Sequence, residues 1–287
     1  MAFEIANIRK AYLNVFVIVS PPRCSSTALA RVFWEHPLVR YYSHEPFEVL
    51  YYSNQSADEA LSRLQTPLDL RPLKKEPEGC VGNGIVIKEM PYQIGKYFEL
   101  LVLLATAPII FLIRDPRLSI SSRIKKRIEV GDSPLFPITE TGWNLLEAQI
   151  AFCQRNKIQF FIVDSSDFRN HPSSVLKELF KRLKLSFSSE LLRWKPQFAI
   201  DIDNLGGRHS HLYYEVLRSE RLLPDEAFVP PLELFPEDSG FRQHVIECLN
   251  IYSGLKKLPE LLNPRKQKSD NNNSTPKSYL EIESRKQ

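Results

Sequence analysis

The chain of 287 residues reads as an α/β protein, a three-layer α/β/α arrangement around a central, mainly parallel sheet of about five strands. Three observations predict this. Short β-branched and aromatic runs alternate with helical patterns over residues 12–195. The runs are apolar at consecutive positions, as in strands covered on both faces. Strand–helix–strand order then makes neighbouring strands parallel.

Tyr12 to Ser20 (Tyr-Leu-Asn-Val-Phe-Val-Ile-Val-Ser) is the first strand. Ser26 to Glu35 follows as a helix with Leu29, Val32 and Phe33 on one face, and His36-Pro37 stops it. Leu38 to Ser43 is a shorter strand. Residues 54–80 are polar and Pro-containing, with one helix over Ala57–Leu64. Gly84 to Ile87 is the third strand, Gln93 to Leu104 a helix, and Ile109 to Ile113 the fourth strand. Asp115-Pro116 opens the next helix, Asp as cap and Pro in the first turn. A helix over Trp143–Asn156 and a fifth strand over Ile158–Val163 come next. Ser173 to Leu183 repeats Val175, Leu176, Leu179, Phe180 and Leu183 at helical spacing.

The domain is expected to span 1–263 and the remainder, 264–287, to be a disordered polar tail, because Lys-Gln-Lys-Ser-Asp-Asn-Asn-Asn-Ser-Thr-Pro is low in complexity. The net charge of +4 lies mostly in that tail. A nearly neutral body without a reader motif argues against nucleic acid as partner. The longest apolar stretch, Leu100 to Ile113, holds Pro108 and is too short for a bilayer, which needs about 20 residues. Cys24, Cys80, Cys153 and Cys248 have neither zinc-ligand nor redox-motif spacing, so a reducing, cytoplasmic setting is expected.

Two segments carry chemistry. The first strand ends in Ser20-Pro-Pro-Arg-Cys-Ser-Ser-Thr27 and enters a helix. Such a unit aims backbone N–H groups and a helix N-terminus at an anion. It is not a Walker A loop, which needs Gly-x-x-x-x-Gly-Lys-Ser/Thr. The fourth strand ends in Arg114-Asp-Pro-Arg-Leu-Ser-Ile-Ser-Ser122. Arg114 stands at a strand's carboxyl end, where α/β sheets place ligands. Ser122 lies about two helical turns further on, placed to grip one phosphate with it. Lys125, Lys126 and Arg127 read as a solvated basic face. His209 and His211 read as loop residues near a ligand, short of the ligands a metal needs.

Together these segments resemble the sulfotransferase superfamily that uses 3′-phosphoadenosine 5′-phosphosulfate (PAPS). Pro22-Arg-Cys-Ser-Ser-Thr27 is similar to its 5′-phosphosulfate loop, and Ile113-Arg-Asp-Pro…Ser122 to its 3′-phosphate motif. His36-Pro…His-Glu-Pro-Phe47 is similar to a segment of its carbohydrate branch, and the resemblance runs over residues 12–195.

The resemblance implies a P-loop-like fold and sulfuryl transfer from PAPS to a hydroxyl of a small-molecule or carbohydrate-like acceptor, without a metal. It implies Glu45 as general base, Arg23 and Lys88 on the sulfuryl group, Cys24, Ser25, Ser26 and Thr27 on the phosphosulfate, and Arg114 with Ser122 on the 3′-phosphate. His44 is an alternative base. Glu89 points away from Lys88 along the strand. Ser25 stands where most of the family has Gly, and fits if the loop keeps ordinary backbone angles. Two other readings stay open: a P-loop kinase-like phosphotransferase, and a non-catalytic nucleotide-binding protein with the same fold.

Overall fold

The computed structural model describes residues 2–225, 228–237 and 240–262. The expected polar tail 264–287 lies outside the described residues.

The elements are α1 (Ala2–Ala11), β1 (Val15–Val19), α2 (Ser26–Glu35), β2 (Val39–His44), α3 (Glu48–Ser53), α4 (Ala57–Arg63), β3 (Leu68–Asp69), β4 (Gly84–Glu89), α5 (Pro91–Ile94), α6 (Phe98–Leu104), β5 (Ile109–Ile113), α7 (Pro116–Glu129), α8 (Trp143–Arg155), β6 (Phe160–Asp164), α9 (Ser165–Asn170), α10 (Pro172–Arg182), α11 (Tyr214–Arg218) and α12 (Phe241–Leu255). They build one sheet in the order β3-β2-β4-β1-β5-β6. Every pairing is parallel except that of β2 with β3.

The five expected strands are all present. The sixth, β3, is a two-residue antiparallel edge pairing Tyr41 with Asp69 and Tyr42 with Leu68. Too short for any periodicity, it hides in the polar stretch. Gly95, at φ 45, breaks the expected helix over Gln93–Leu104 into α5, a 3₁₀ turn and α6. No helix of the described residues is long and apolar enough to cross a membrane.

Strand alternation divides the core. Val15, Val17 and Val19 of β1 join one apolar cluster with α6, α8 and α12, while Phe16 and Ile18 join another with α2 and α10. All five β1 residues are buried, which explains the continuous apolar run. At roughly 25 cal/mol per Å² of apolar area, burial on both faces makes β1 the anchor of the sheet. The neighbours of β1 are β4 and β5. Their carboxyl ends, with that of β2, therefore surround its own.

Candidate functional site

Those strand ends open into one cavity of about 890 Å³. Arg23, Ser25, Ser26, Thr27, Glu45, Lys88, Arg114 and Ser122 all line it. Cys24 does not. Its side chain is fully buried in the α2-side cluster, and burial pushes the thiol up to about 12.

The loop before α2 is strained. Arg23 and Ser25 have φ of 61 and 66. Ser25 thus occupies the left-handed region that Gly favours, so the condition of ordinary backbone angles is not met, and its hydroxyl does not cap α2. The first amides of α2 have no intrahelical acceptor and remain available to an anion. Such a conformation costs a non-Gly residue on the order of 1–3 kcal/mol and tends to cluster at functional sites. Glu45, at φ 46, is a third case at this cavity. Ser25→Val, β-branched at positive φ, is expected to lower stability by about 2 kcal/mol. Ser25→Gly should stay within about 1 kcal/mol, since relief of strain and the looser unfolded chain oppose each other. Urea melts of both variants check this, and an unchanged Val variant would contradict it.

On the β5 side, Arg23 Nε donates to Ser122 Oγ at 3.2 Å and its Nη1 to the Leu212 carbonyl at 3.1 Å. The Arg114 guanidinium donates to both oxygens of Asp225, at 3.1 and 2.7 Å, and to the Arg23 carbonyl at 3.2 Å. Asp115 caps α7 as expected, accepting from Arg117 N at 2.9 Å. Ser119 is buried and donates to the Pro116 carbonyl, which leaves Ser122 as the α7 serine on the cavity.

On the β2–β4 side, Glu45 and Lys88 form an ion pair with both side chains 1% exposed. Sheet register sets this up, because His44 is the partner of Lys88 and the Glu45 amide donates to the Lys88 carbonyl at 2.7 Å. Gln93 Nε2 donates to Glu45 Oε2 at 2.7 Å, and the Tyr213 hydroxyl to Oε1 at 3.3 Å. Burial would raise the Glu45 carboxyl, but Lys88 and His44 outweigh it and hold it well below the usual range. His44 is buried, which lowers its pKa, and it meets the Tyr42 hydroxyl through Nδ1 at 2.5 Å. Glu89 does point away: it accepts from the Phe47 and Met90 amides at 2.9 and 2.8 Å, and burial raises its pKa well above the ordinary value.

Several positions at the cavity carry no sequence motif. Tyr213 and Asn204 reach Glu45 from 168 and 159 residues away. Arg169 lies 3.5 Å from Ser25 Oγ, and Trp194 lines the cavity. Lys126 and Arg127 also line it, so they are not simply a solvated face; Lys126 is held by Glu129 and Glu215, Arg127 by Asp132. Of residues 48–80, only Tyr52 lines the cavity, while 125–142 contribute Lys126, Arg127, Val130, Asp132 and Glu140. His209 is on the cavity wall, with Nδ1 2.6 Å from Glu48 Oε1. Ligand atoms of Glu48, Asp203 and His209 lie within 4.8 Å of one another, which supplies the company that the sequence does not show for His209. The group is knit internally, since Asp203 accepts from the Leu205 and His209 amides at 2.9 and 2.8 Å.

No protein-family model matches the chain, and no curated protein does. Solved structures do. A sulfotransferase domain from the curacin biosynthetic pathway superposes with a TM-score of 0.51 at 17% identity, covering 84% of this chain and 97% of that one. The sulfotransferase domain of the Synechococcus PCC 7002 olefin synthase gives 0.48 at 13%, covering 84% and 94%. Mouse sulfotransferase SULT7A1, complexed with PAP, gives 0.48 at 11%, covering 88% and 92%. At these identities the likeness is one of fold: the chain has the architecture of a sulfotransferase domain.

Proposed function

We propose that this protein transfers a sulfuryl group from PAPS to a hydroxyl of a small-molecule or carbohydrate-like acceptor. One observation carries the reading. The two loops suited to anions, at the ends of β1 and β5, share a cavity with a buried carboxylate–lysine pair from β2 and β4. The shared fold agrees with it. The cavity's volume, about 890 Å³, is ample for a nucleotide beside an acceptor.

The donor supplies the activated sulfuryl group. Arg23 and the amides and hydroxyls of Ser25, Ser26 and Thr27 hold its phosphosulfate end, with Cys24 offering backbone alone. Arg114 and Ser122 hold its 3′-phosphate. Glu45 takes the proton of the acceptor hydroxyl, a role worth about 10²–10⁴-fold. In the ligand-free pair Lys88 depresses that basicity. When Lys88 turns to the sulfuryl oxygens, it neutralises their developing charge and frees Glu45 to accept a proton. Gln93 and Tyr213 keep the carboxylate aimed. The reading calls on no metal, because Arg23, Lys88 and Arg114 supply the positive charge.

The test is an assay of the full chain with PAPS and a panel of hydroxylated acceptors, in EDTA, for release of the desulfated 3′,5′-nucleotide. Acceptor-dependent release is the expected result. Nucleotide binding with no turnover on any acceptor would instead favour the non-catalytic reading.

A further inference from the structure

Arg114, assigned above to the donor's 3′-phosphate, is already engaged. Its guanidinium grips Asp225 through two parallel hydrogen bonds of 3.1 and 2.7 Å, and the two side chains are 8% and 5% exposed. A guanidinium fork holds a carboxylate and a phosphate in the same way, through two oxygens. Asp225 therefore presents to Arg114 what a nucleotide phosphate would.

The segment that delivers Asp225 is held chiefly by polar contacts. Arg169 Nε and Nη2 donate to the Leu223 and Pro224 carbonyls at 2.8 and 2.9 Å. Asn170 Oδ1 accepts from the Asp225 amide at 3.1 Å, and the Leu222 amide donates to the Leu192 carbonyl at 3.2 Å. Leu223 is 50% exposed, and Leu222, packed against the α2-side core, is itself only partly buried. A segment with so little buried apolar surface belongs to the easily opened part of a fold.

Arg169 stands between this segment and the β1 loop, with Nη1 3.5 Å from Ser25 Oγ. Its strong donors are spent on neutral carbonyls. Burial lowers its pKa, the nearby Asp225 opposes the drop, and Arg114 adds to it. A phosphate brings more charge and a third oxygen to the same place.

We propose that Arg169 is a further donor-phosphate residue acting with Arg114, and that Asp225 is an internal anion which a 3′-phosphorylated nucleotide displaces from Arg114. This rests on the donor assignment above. The internal anion lowers apparent affinity by the fraction of molecules in which the site is open, and it discriminates against nucleotides lacking the 3′-phosphate.

The experiment is calorimetric titration of the full chain with adenosine 3′,5′-bisphosphate and, separately, 5′-AMP. Asp225→Asn keeps the shape and removes the charge; Asp225→Ser is the second variant, and thermal melts report folding of each. Both should bind the bisphosphate at least tenfold more tightly than wild type, with 5′-AMP changed less than twofold. Adding Arg169→Gln to Asp225→Asn should weaken the bisphosphate about tenfold, with less effect on 5′-AMP. If wild type binds the bisphosphate and Asp225→Asn binds it no better, or tightens both nucleotides equally, the displacement idea is wrong while the donor reading stands. If Arg169→Gln changes neither nucleotide, Arg169 is structural only. Absence of bisphosphate binding by every variant sinks the donor reading itself.

Discussion

Glu45→Gln is expected to lower turnover by about 10²–10⁴-fold while nucleotide affinity stays near wild type. The amide keeps the side chain's shape but cannot accept the hydroxyl proton. The same substitution costs stability. Lys88 is 1% exposed, and removing its counter-ion leaves a buried cation unpaired, a loss of about 3–5 kcal/mol. Glu45→Gln with Lys88→Met, which removes both charges, should recover most of that stability and none of the activity. Acid titration gives an independent handle. The folded Glu45 carboxyl is depressed below its ordinary value of 4.5. Its contribution to stability is thus full above that pH and is lost as pH falls below it. Urea melts between about pH 3 and 7 should show the wild type losing more stability than the double variant. Full activity in Glu45→Gln would remove Glu45 from the role of base.

Arg114→Ala is expected to weaken adenosine 3′,5′-bisphosphate by about 10–150-fold, the worth of a charge-assisted hydrogen-bonded pair. It leaves the Asp225 carboxylate, 5% exposed, without its cation. Folding stability should therefore drop by about 3–5 kcal/mol, which nucleotide cannot restore. Arg114→Lys keeps the charge but loses the fork, so it should fall between alanine and wild type. Binding of 5′-AMP is the control. Equal losses for 5′-AMP and the bisphosphate would mean that Arg114 does not recognise the 3′-phosphate.

How much of this was legible in the sequence depends on how local each cause is. β1 and β5 announce themselves because burial on both faces forces unbroken apolar runs. The Asp115 cap and the fold class follow from equally short-range rules. β3, at two residues, is stabilised by its pairing with β2 and not by its own sequence. The helix Phe241–Leu255 spaces Phe241, Val245 and Cys248 at i, i+4 and i+7, but it follows the Pro-rich stretch Val229–Pro236, beyond the strand–helix alternation from which the fold was read.

At the cavity, Arg23 and Arg114 were singled out by their place just past a strand end, Ser122 by its spacing from Arg114 along α7, and Glu45 and Lys88 through the family resemblance. Their engagements were not legible. That Lys88 grips Glu45, that Asp225 grips Arg114, and that Ser25 sits at positive φ all depend on chain folded back from elsewhere or on the detailed path of a loop. Cys24 shows the converse: its position in the loop suggested a donor, while its apolar character sends the side chain into the core.

The central claim is that the loops after β1 and β5 form a site for a 3′-phosphorylated adenine nucleotide. Calorimetric titration of the full chain with adenosine 3′,5′-bisphosphate, repeated in the presence of ATP and Mg²⁺, tests it most directly. The account predicts one site per chain with a dissociation constant on the order of micromolar, little affected by ATP. No detectable binding, or displacement by ATP at lower concentration, would contradict it.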